Sequence, residues 1–376
     1  MKRFYKILKR MMLVFLSLII LFAIATLIYM QQDKFGQLPE GERLAKIEKS
    51  PNYKNGKFYN KIEKPTITQG YSFTGEIWKA ITKKYPRTEP IDTIPTIKTD
   101  LKNLPPDSNL VVWFGHSSFL LQIDGKRILA DPVFSNSASP ISGLVKAYKG
   151  TNIYTAEDMP EIDYLLISHD HYDHLDYKTI KALNPKVKKV ICGLGVGAHF
   201  EKWGYATEKL LEKDWGDNVK VGRGFTIFTE STHHDCGRGF ISSKALWLSF
   251  LIVTPTQKIY YSGDGGYDHR FKEINKKYGV IDWAIMECGQ YNPAWEAVHN
   301  LPEQVVKATE DLQAKNLLPV HHSKFTLAKH PWDEPLIKMT EMAKSKPYRL
   351  ATPMIGEVVY LKDNKQVFKQ WWKGIK

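Results

Sequence analysis

The sequence predicts an α/β fold in which two mixed β-sheets pack face to face with helices on the outside. Three observations lead to this prediction. From about residue 110 the chain changes to short apolar runs that are separated by turn residues and are typical of strands. The order of strands followed by helices then occurs twice. Side chains that bind metals follow several of these strands, which is where loops carry functional residues.

The N-terminal thirty residues form a separate segment. Residues 1–10 carry five positive charges and no acid, and residues 11–30 carry no charge, enough for a helix of about 30 Å that crosses a bilayer. A cleaved signal peptide is the rival interpretation. The apolar stretch is longer than the usual core of about 7–15 residues, and residues 31–35 lack a small-x-small cleavage pattern. We therefore expect an uncleaved transmembrane signal anchor at 11–30, with the basic flank 1–10 in the cytoplasm and the rest on the extracytoplasmic side.

Residues 31–109 are predicted to be an irregular arm. They contain many prolines, which interrupt regular elements, and the best helical pattern lies at 77–84. The aromatic residues of this arm suggest that it packs on the globular body. That body is predicted to span residues 110–376.

The first half of the body contains the following predicted elements, in chain order: strands at 110–114, 118–123 and 127–130, a strand beginning at 164, a helix at 177–183, a strand at 188–192 and a helix at 199–203. Asp124 and Gly125 are typical of a tight hairpin turn. The glycine-rich segment 193–197 resembles a phosphate cradle but lacks the Lys-Ser/Thr ending of a nucleotide loop, so we interpret it as a tight turn.

The second half repeats this order. Its predicted elements are strands at 219–221, 225–230, 246–254 and 258–262, a helix at 267–278, a strand at 283–287, a helix at 302–313, a strand at 316–320, a helix at 334–343 and a strand at 357–361.

The most informative stretch is the polar loop that follows the apolar run 164–168. It contains His169, His171, Asp173 and His174. The first two imidazoles can converge on one cation, and the next two side chains can reach a second cation a few ångströms away. Imidazole nitrogens and carboxylate oxygens suit zinc, and a site with few thiolates keeps a position open to water.

Three further candidate ligands, His233, Asp264 and His321, each follow a predicted strand. The strand ends meet at one edge, so these side chains can complete two metal spheres. His234 can replace His233, and His322 can replace His321, so each neighbour is an open alternative. His116 and His299 are candidates either for the pocket lining or for structural roles.

The assignment has two ions and one bridge. We expect His169, His171 and His233 to hold one ion, Asp173, His174 and His321 to hold the other, and the Asp264 carboxylate to bridge them. Water between two such ions loses its proton near neutral pH and becomes a nucleophile. Asp173 and Asp264 are the catalytic carboxylates. Two Zn2+ ions are expected, and Mn2+ or iron is the alternative.

Composition limits the class of protein and its partners. With 43% hydrophobic and 12% aromatic residues, the 376-residue chain can form a large core. Its three cysteines are widely spaced and form no disulfide framework; they are best read as small buried residues. The formal net charge of +13 attracts anionic membranes, phosphorylated substrates or nucleic acids. No basic appendage interleaved with aromatic residues is present, so no nucleic-acid partner is expected.

These residues resemble the metallo-β-lactamase superfamily of binuclear hydrolases. Flanking segments are similar to the branch of N-acyl-phosphatidylethanolamine-hydrolysing phospholipases D and their bacterial relatives: 113–122, 130–135, 138–140, 260–267 and 318–321. The resemblance implies an αββα sandwich, two zinc ions and cleavage of a phosphodiester that releases an N-acylethanolamine. The chain differs in two places: the loop 231–238 is one residue longer, and Glu287 stands where relatives tend to have proline.

The sequence therefore predicts a membrane-anchored zinc phosphodiesterase of the phospholipase D type, whose partners are a phospholipid substrate and the membrane. Two alternatives stay open. One is a metal-dependent hydrolase of a lactone, a phosphorylated metabolite or nucleic acid, and the other is a non-catalytic surface protein on a hydrolase scaffold. The sequence also leaves open whether the chain forms a homodimer.

Overall fold

The apolar runs form the strands of two sheets in the computed structural model, which describes residues 1–141 and 143–376. The helices of these residues are α1 Lys2–Met30, α2 Gly41–Ile47, α3 Phe73–Thr82, α4 Tyr177–Leu183, α5 Gly197–Lys202, α6 Arg270–Tyr278, α7 Pro302–Asp311 and α8 Glu334–Met342. The strands are β1 Tyr53–Lys54, β2 Lys57–Phe58, β3 Leu110–Trp113, β4 Phe119–Ile123, β5 Lys126–Ala130, β6 Ile162–Ile167, β7 Val187–Gly193, β8 Leu210–Lys213, β9 Asn218–Gly222, β10 Phe225–Glu230, β11 Ser249–Val253, β12 Lys258–Tyr261, β13 Trp283–Glu287, β14 Asn316–Val320, β15 Arg349–Leu350 and β16 Val358–Tyr360.

Strands β1 and β2 pair with each other, and the remaining described strands form two seven-stranded sheets. In each of these two sheets, half of the strand pairs are antiparallel and half are parallel. The first has the order β16-β3-β4-β5-β6-β7-β8 and the second has the order β15-β14-β13-β12-β11-β10-β9. Pairing is parallel from β5 to β8 and from β12 to β15. As a result β3, β5 and β6 run in one direction within the first sheet, and β10, β12, β13 and β14 do so within the second.

The two sheets share one core. Every residue of β3, β4, β13 and β14 is buried, as expected for strands covered on both faces. The rings of Phe119 in β4 and Tyr261 in β12 meet edge to face, with centroids 5.0 Å apart, and join the sheets. Helices α6, α7 and α8 cover the outer face of the second sheet, and α4 and α5 pack on the first. The predicted αββα sandwich is confirmed.

Two predicted turns have the expected backbone. Asp124 and Gly125, with φ of 46° and 74°, form the tight turn between β4 and β5. The 193–197 segment is a tight turn, and a carboxylate already fills its amide groove. Gly195 and Gly197 donate their backbone N–H groups to Glu212 Oε1 at 2.7 and 3.2 Å. No space remains there for a phosphate.

The arm is attached to the body by apolar and ionic contacts. Ile47 and Phe58 belong to the main core. Arg43 forms ion pairs with Glu201 and Glu212, both at 2.7 Å. This arm therefore wraps the first sheet and the loops beside it.

Helix α1 is long and apolar enough to cross a membrane, and none of its apolar window is buried by the protein. Its C-terminal end nevertheless contacts the body. Tyr29 Oη donates to the Pro140 carbonyl at 2.9 Å, and the ring of Phe35 meets that of Tyr172 at 6.4 Å between centroids. Because Tyr172 lies between His171 and Asp173, this end of α1 is beside the predicted metal loop.

Candidate metal centre

The loops that follow strands of both sheets meet at one edge of the sandwich. Four non-glycine residues at these strand exits have left-handed backbone: His116, Asp131, Gln290 and His321, with φ of 52°, 40°, 57° and 68°. Such backbone is strained for residues with a Cβ and is found most often at functional sites. For His116, Asp131 and His321 this strain accompanies side chains that reach the donor groups described below.

One cluster of donor atoms contains three imidazoles. His171 Nδ1 lies 2.9 Å from His169 Nε2 and 3.3 Å from His234 Nε2. The other ring nitrogens have protein partners, because His169 Nδ1 is 3.0 Å from Ser168 Oγ and His234 Nδ1 is 3.1 Å from the Val298 carbonyl. These contacts orient two of the three rings so that their free nitrogens face a common point.

A second cluster lies beside the first. Its donor atoms come from His116, Asp173, His174 and His321 and lie within 4.8 Å of one another. Asp173 Oδ2 is 2.8 Å from His116 Nε2 and 3.4 Å from His174 Nε2. The arrangement offers one carboxylate and several imidazoles to one point.

Asp264 stands between the two clusters. Its Oδ2 is 3.1 Å from His174 Nε2, and its Oδ1 is 3.3 Å from His321 Nδ1. It also forms a donor group with His169 and His174. A carboxylate in this position can contact ions in both clusters.

The expectation for His233 is corrected, because the structure brings His234 and not His233 to the first cluster. The residues that most affect the His233 ring electrostatically are Lys64, Asp268 and Arg270, which lie outside both clusters. Asn60 of the arm fixes the backbone of His234: its side chain accepts from His234 N at 3.1 Å and donates to His234 O at 2.8 Å. Asn60 thereby helps to place the second histidine of the pair in the cluster.

In the pair His321 and His322, the donor is the residue that the sequence predicted. His321 lies in the second cluster, whereas His322 packs against Trp113 with ring centroids 4.9 Å apart and contacts Ser323 Oγ at 2.8 Å. His322 is therefore structural. His169, His171, Asp173, His174 and Asp264 all lie where the sequence placed them, in the two clusters.

The charge states of His169, His234, Asp173 and Asp264 suit cation binding, and His174 is an exception that must release a proton when a metal binds. Burial and the neighbouring imidazoles hold the pKa of His169 well below its usual value, and burial lowers the pKa of His234 to about 3. Burial alone would raise the pKa of Asp173 and Asp264, but His174 holds both well below their usual range. Burial also opposes a charge on His174, yet Asp264 and Asp173 raise its pKa well above the usual value. Neutral imidazoles and ionised carboxylates are the forms that bind metals.

Asp131 is a site residue that sequence reasoning missed. Its buried carboxylate lies 2.8 Å from His174 Nδ1 and accepts hydrogen bonds from Ser168 Oγ and Tyr261 Oη, both at 2.5 Å. The carboxylate fixes the tautomer and orientation of His174. The available signal was the Asp-Pro pair that directly follows the predicted strand 127–130.

A second pair of a carboxylate and a histidine, Glu287 and His299, lies near Asp264. Glu287 is fully buried, and its Oε2 is 2.9 Å from His299 Nδ1. The Glu287 carboxylate, against the effect of burial, raises the pKa of His299 to about 9. The His299 ring stacks on His321 with centroids 5.2 Å apart. His299 therefore borders the metal centre, held there by Glu287.

The residues present fit metal ions. Within the described part of the chain, four buried polar atoms at the clusters have no partner in hydrogen-bond geometry, although two of them lie close to another donor group: His116 Nδ1, His174 Nε2, Asp264 Oδ1 and His321 Nε2. A buried polar atom left unpaired costs about 1–3 kcal/mol, so their convergence calls for a cation. The three cysteines are buried, and among the described residues none of them belongs to these donor groups.

Comparisons with known proteins agree with this geometry. A family model described as the beta-lactamase superfamily domain matches residues 126–322. An uncharacterized protein of Mycobacterium tuberculosis is 33% identical over 83% of this chain and 85% of its own length. The N-acyl-phosphatidylethanolamine-hydrolyzing phospholipase D 1 of Caenorhabditis elegans is 28% identical over 66% of this chain and 74% of its own length. A metallo hydrolase structure from Ignicoccus hospitalis has a TM-score of 0.52 and 20% identity, covering 67% of this chain and 97% of that chain.

Proposed function

Since this chain belongs to the beta-lactamase superfamily and is a metal-dependent hydrolase of the metallo-β-lactamase fold, we propose that it cleaves N-acyl-phosphatidylethanolamine-like lipids as a membrane-anchored phosphodiesterase. The reaction is of the phospholipase D type. It splits the phosphodiester so that a phosphatidic acid and an N-acylethanolamine are released.

The observation that carries the proposal is the similarity to the Caenorhabditis elegans phospholipase together with the two donor clusters. That relative is named for hydrolysis of this lipid class, and the similarity extends over 270 residues. The clusters supply the donor types that a hydrolytic metal pair needs. Superfamily membership alone would leave the substrate class open.

Two sets of side chains would hold two ions, with Asp264 between them: His169, His171 and His234, and Asp173, His174 and His321. When bound, such a pair of ions lowers the pKa of water and offsets negative charge on an attacked phosphoryl oxygen. We assign zinc, because imidazole nitrogens with carboxylate oxygens are its usual protein donors. Asp131 keeps His174 Nε2 directed at Asp264, and the Val298 carbonyl keeps His234 Nε2 directed at His171.

A cavity beside the metal loop supports an anionic lipid substrate. It has a volume of about 720 Å3 and lies between the end of α1 and the loop that carries Tyr172. Four basic side chains and two acidic ones line it, which leaves an excess of positive charge: Lys34, Lys146, Lys178 and Arg238 against Asp33 and Asp176. Arg238 is buried, and its guanidinium lies 4.1 Å from the Tyr172 ring centroid. Positive charge beside the metal loop favours a phosphate-bearing headgroup.

Helix α1 supports the location. We place the protein in the membrane as a single-pass protein with a cytoplasmic N-terminus and an extracytoplasmic catalytic domain, because the basic residues precede the apolar helix. A lipid substrate then lies in the same bilayer as the anchor. The phospholipid and the membrane are the two partners of this proposal.

The test uses the full-length protein in mixed micelles with zinc and N-acyl-phosphatidylethanolamine. We expect release of a fatty acylethanolamine, and loss of this release in Asp264→Asn. The matched control is Asp163→Asn. Asp163 lies at the start of β6, at the opposite end of that strand from His169, and its carboxylate contacts Lys188. Hydrolysis of lactones or nucleotides but not of this lipid would overturn the substrate assignment.

A further inference from the structure

Helix α3 presents its apolar face to the outside. Four large apolar side chains lie on one arc of this ten-residue helix: Phe73, Ile77, Trp78 and Ile81. Their exposed fractions are 68%, 45%, 69% and 75%. A surface helix of a soluble domain normally buries such a face, and contiguous exposed apolar surface marks an interaction site.

Two polar side chains of the same helix, Glu76 and Lys79, contact each other and a residue that precedes the helix. Glu76 accepts a hydrogen bond from Lys79 Nζ at 2.6 Å, and the Glu76 side chain is 14% exposed. Lys79 also lies over the ring of Tyr71, 5.1 Å from its centroid. Glu76 and Lys79 are less exposed than the four apolar residues, which is the reverse of the exposure pattern in an ordinary surface helix.

The chain segments before and after α3 are both attached to the body. Before α3, Thr68 donates its backbone N–H to the Ala294 carbonyl at 2.8 Å. After α3, the Arg87 carbonyl accepts from Trp332 N at 2.7 Å, and the Arg87 side chain pairs with Asp333. Ala294 belongs to the connection between β13 and α7, which also carries His299. The segment before α3 thus contacts a loop of the metal edge.

We propose that the apolar face of α3 lies in the outer layer of the same bilayer that α1 crosses. The inference rests on the proposed membrane insertion of α1. Phe35, five residues after α1 ends, contacts Tyr172 of the metal loop, so that edge is held close to the membrane. The segment before α3 contacts another loop of the same edge. An interfacial helix of this kind lies about 5–10 Å into the boundary between headgroups and acyl chains.

The side chains of α3 favour a bilayer over a protein partner. Trp78 is of the residue type enriched at membrane interfaces. Lys83 and Lys84 follow the apolar face directly and are exposed, which matches the negative headgroups of anionic lipids. The chain thereby contacts the membrane at two places, α1 and α3.

The experiment measures the position of a label on α3. The full-length chain carrying Trp78→Cys is labelled with an environment-sensitive fluorophore and reconstituted into vesicles of phosphatidylethanolamine and phosphatidylglycerol. The three native cysteines are buried, so they do not compete for the label. The matched control is Lys276→Cys, an exposed position in the last turn of α6, at the opposite end of the sandwich from the metal edge.

We expect brominated acyl chains to quench the label at position 78 and aqueous iodide to leave it bright, with the reverse at position 276. Equal quenching by iodide at both positions would overturn the inference. Protection at position 78 from both quenchers would also overturn it, since that result means protein cover, such as a second copy of the chain.

A second variant separates this inference from the proposed substrate. Trp78→Ser combined with Ile81→Ser should lower hydrolysis of vesicle lipid by about tenfold or more, because two large apolar contacts with the bilayer are lost. Hydrolysis of soluble bis(para-nitrophenyl) phosphate should stay unchanged. An equal loss on both substrates would contradict a role in membrane contact. The label experiment decides the position of α3 even if the lipid is not a substrate.

Discussion

At the residue scale, the first donor cluster depends on how the protein orients three imidazoles. The side chain of Asn60, from the arm, clamps the backbone of His234, and the Val298 carbonyl contacts the far ring nitrogen. His234 Nε2 is left facing His171. The adjacent His233 has no part in this arrangement, although both histidines are buried.

This difference gives a matched pair of substitutions. His234→Ala should lower the bound metal by about one ion per chain and reduce hydrolysis by about 100-fold or more, because one of three imidazole donors is lost. His233→Ala should retain its metal. Elemental analysis of the two purified variants checks this, and metal loss in His233→Ala alone would contradict the assignment.

Lys324 is a buried cation without a carboxylate partner at hydrogen-bond distance in the described residues. Its Nζ donates to the carbonyls of Val133 at 2.7 Å and Phe114 at 3.2 Å, and 1% of the residue is exposed. Burial lowers the pKa of Lys324 from 10.5 to about 7. Between these two values the unfolded chain binds a proton that the folded chain does not, so the free energy of unfolding rises with pH there and falls as pH drops towards 7.

Lys324→Met should remove this pH dependence. The free energy of unfolding of the parent protein minus that of the variant should rise by on the order of 2 kcal/mol from pH 7 to pH 9. Urea unfolding in detergent at the two pH values measures it. The exposed Lys369→Met serves as the control, and a parent-minus-variant difference that does not change with pH would disprove the buried-amine explanation.

The residue scale also shows what the sequence could and could not predict. Candidate ligands at strand exits were predictable, because imidazoles and carboxylates followed apolar runs. The choice between His233 and His234 was not, because it depends on Asn60, which is 174 residues away along the chain. Asp131 was missed for a similar reason: its partners His174 and Tyr261 come from other loops and strands.

At the element scale, the turn after β7 brings one sheet close to the loop before β11. A Cβ on Gly193 would lie 1.9 Å from the Leu246 carbonyl oxygen. This space exists only without a side chain, and the contacted atom belongs to the backbone, which cannot move aside cheaply. The amide groove of this turn is in addition occupied by Glu212.

Gly193→Ala should therefore lower the free energy of unfolding by about 1–3 kcal/mol or more, since overpacking forces backbone shifts. Gly222→Ala is the matched control, because a Cβ there meets nothing within 4 Å in the described part of the chain. Denaturant midpoints of the two variants measure the effect. Equal midpoints would show that the close approach of the two backbones has no effect on the free energy of unfolding.

Apolar runs bounded by turn residues were the elements most predictable from the sequence. The bounds of β10, β13, β14 and α4 agree with those predicted. Strand β8 was missed because it is half charged and every residue is partly exposed; it forms by pairing with β7 at the sheet edge. The helix predicted at 77–84 begins earlier, at Phe73, where Ser72 caps its first turn.

At the scale of the whole molecule, the order of strands and helices was sufficient to predict the sandwich, and the family match agrees with it. The path of the arm was not predictable, because its contacts join residues far apart in the chain, such as Arg43 with Glu201. The division of the chain at residues 10, 30 and 109 stays a prediction. The contact between Phe35, which follows α1, and Tyr172 of the metal loop could not be predicted from the sequence.

The central claim is that loops from two sheets form a centre for two divalent ions at the membrane-facing edge. Elemental analysis of the purified full-length chain tests it most directly, with Asp264→Asn in parallel. We predict about two zinc ions per parent chain, and fewer in the variant because the carboxylate between the clusters is lost. A parent chain that retains no stoichiometric divalent metal, even after incubation with zinc, would contradict the claim.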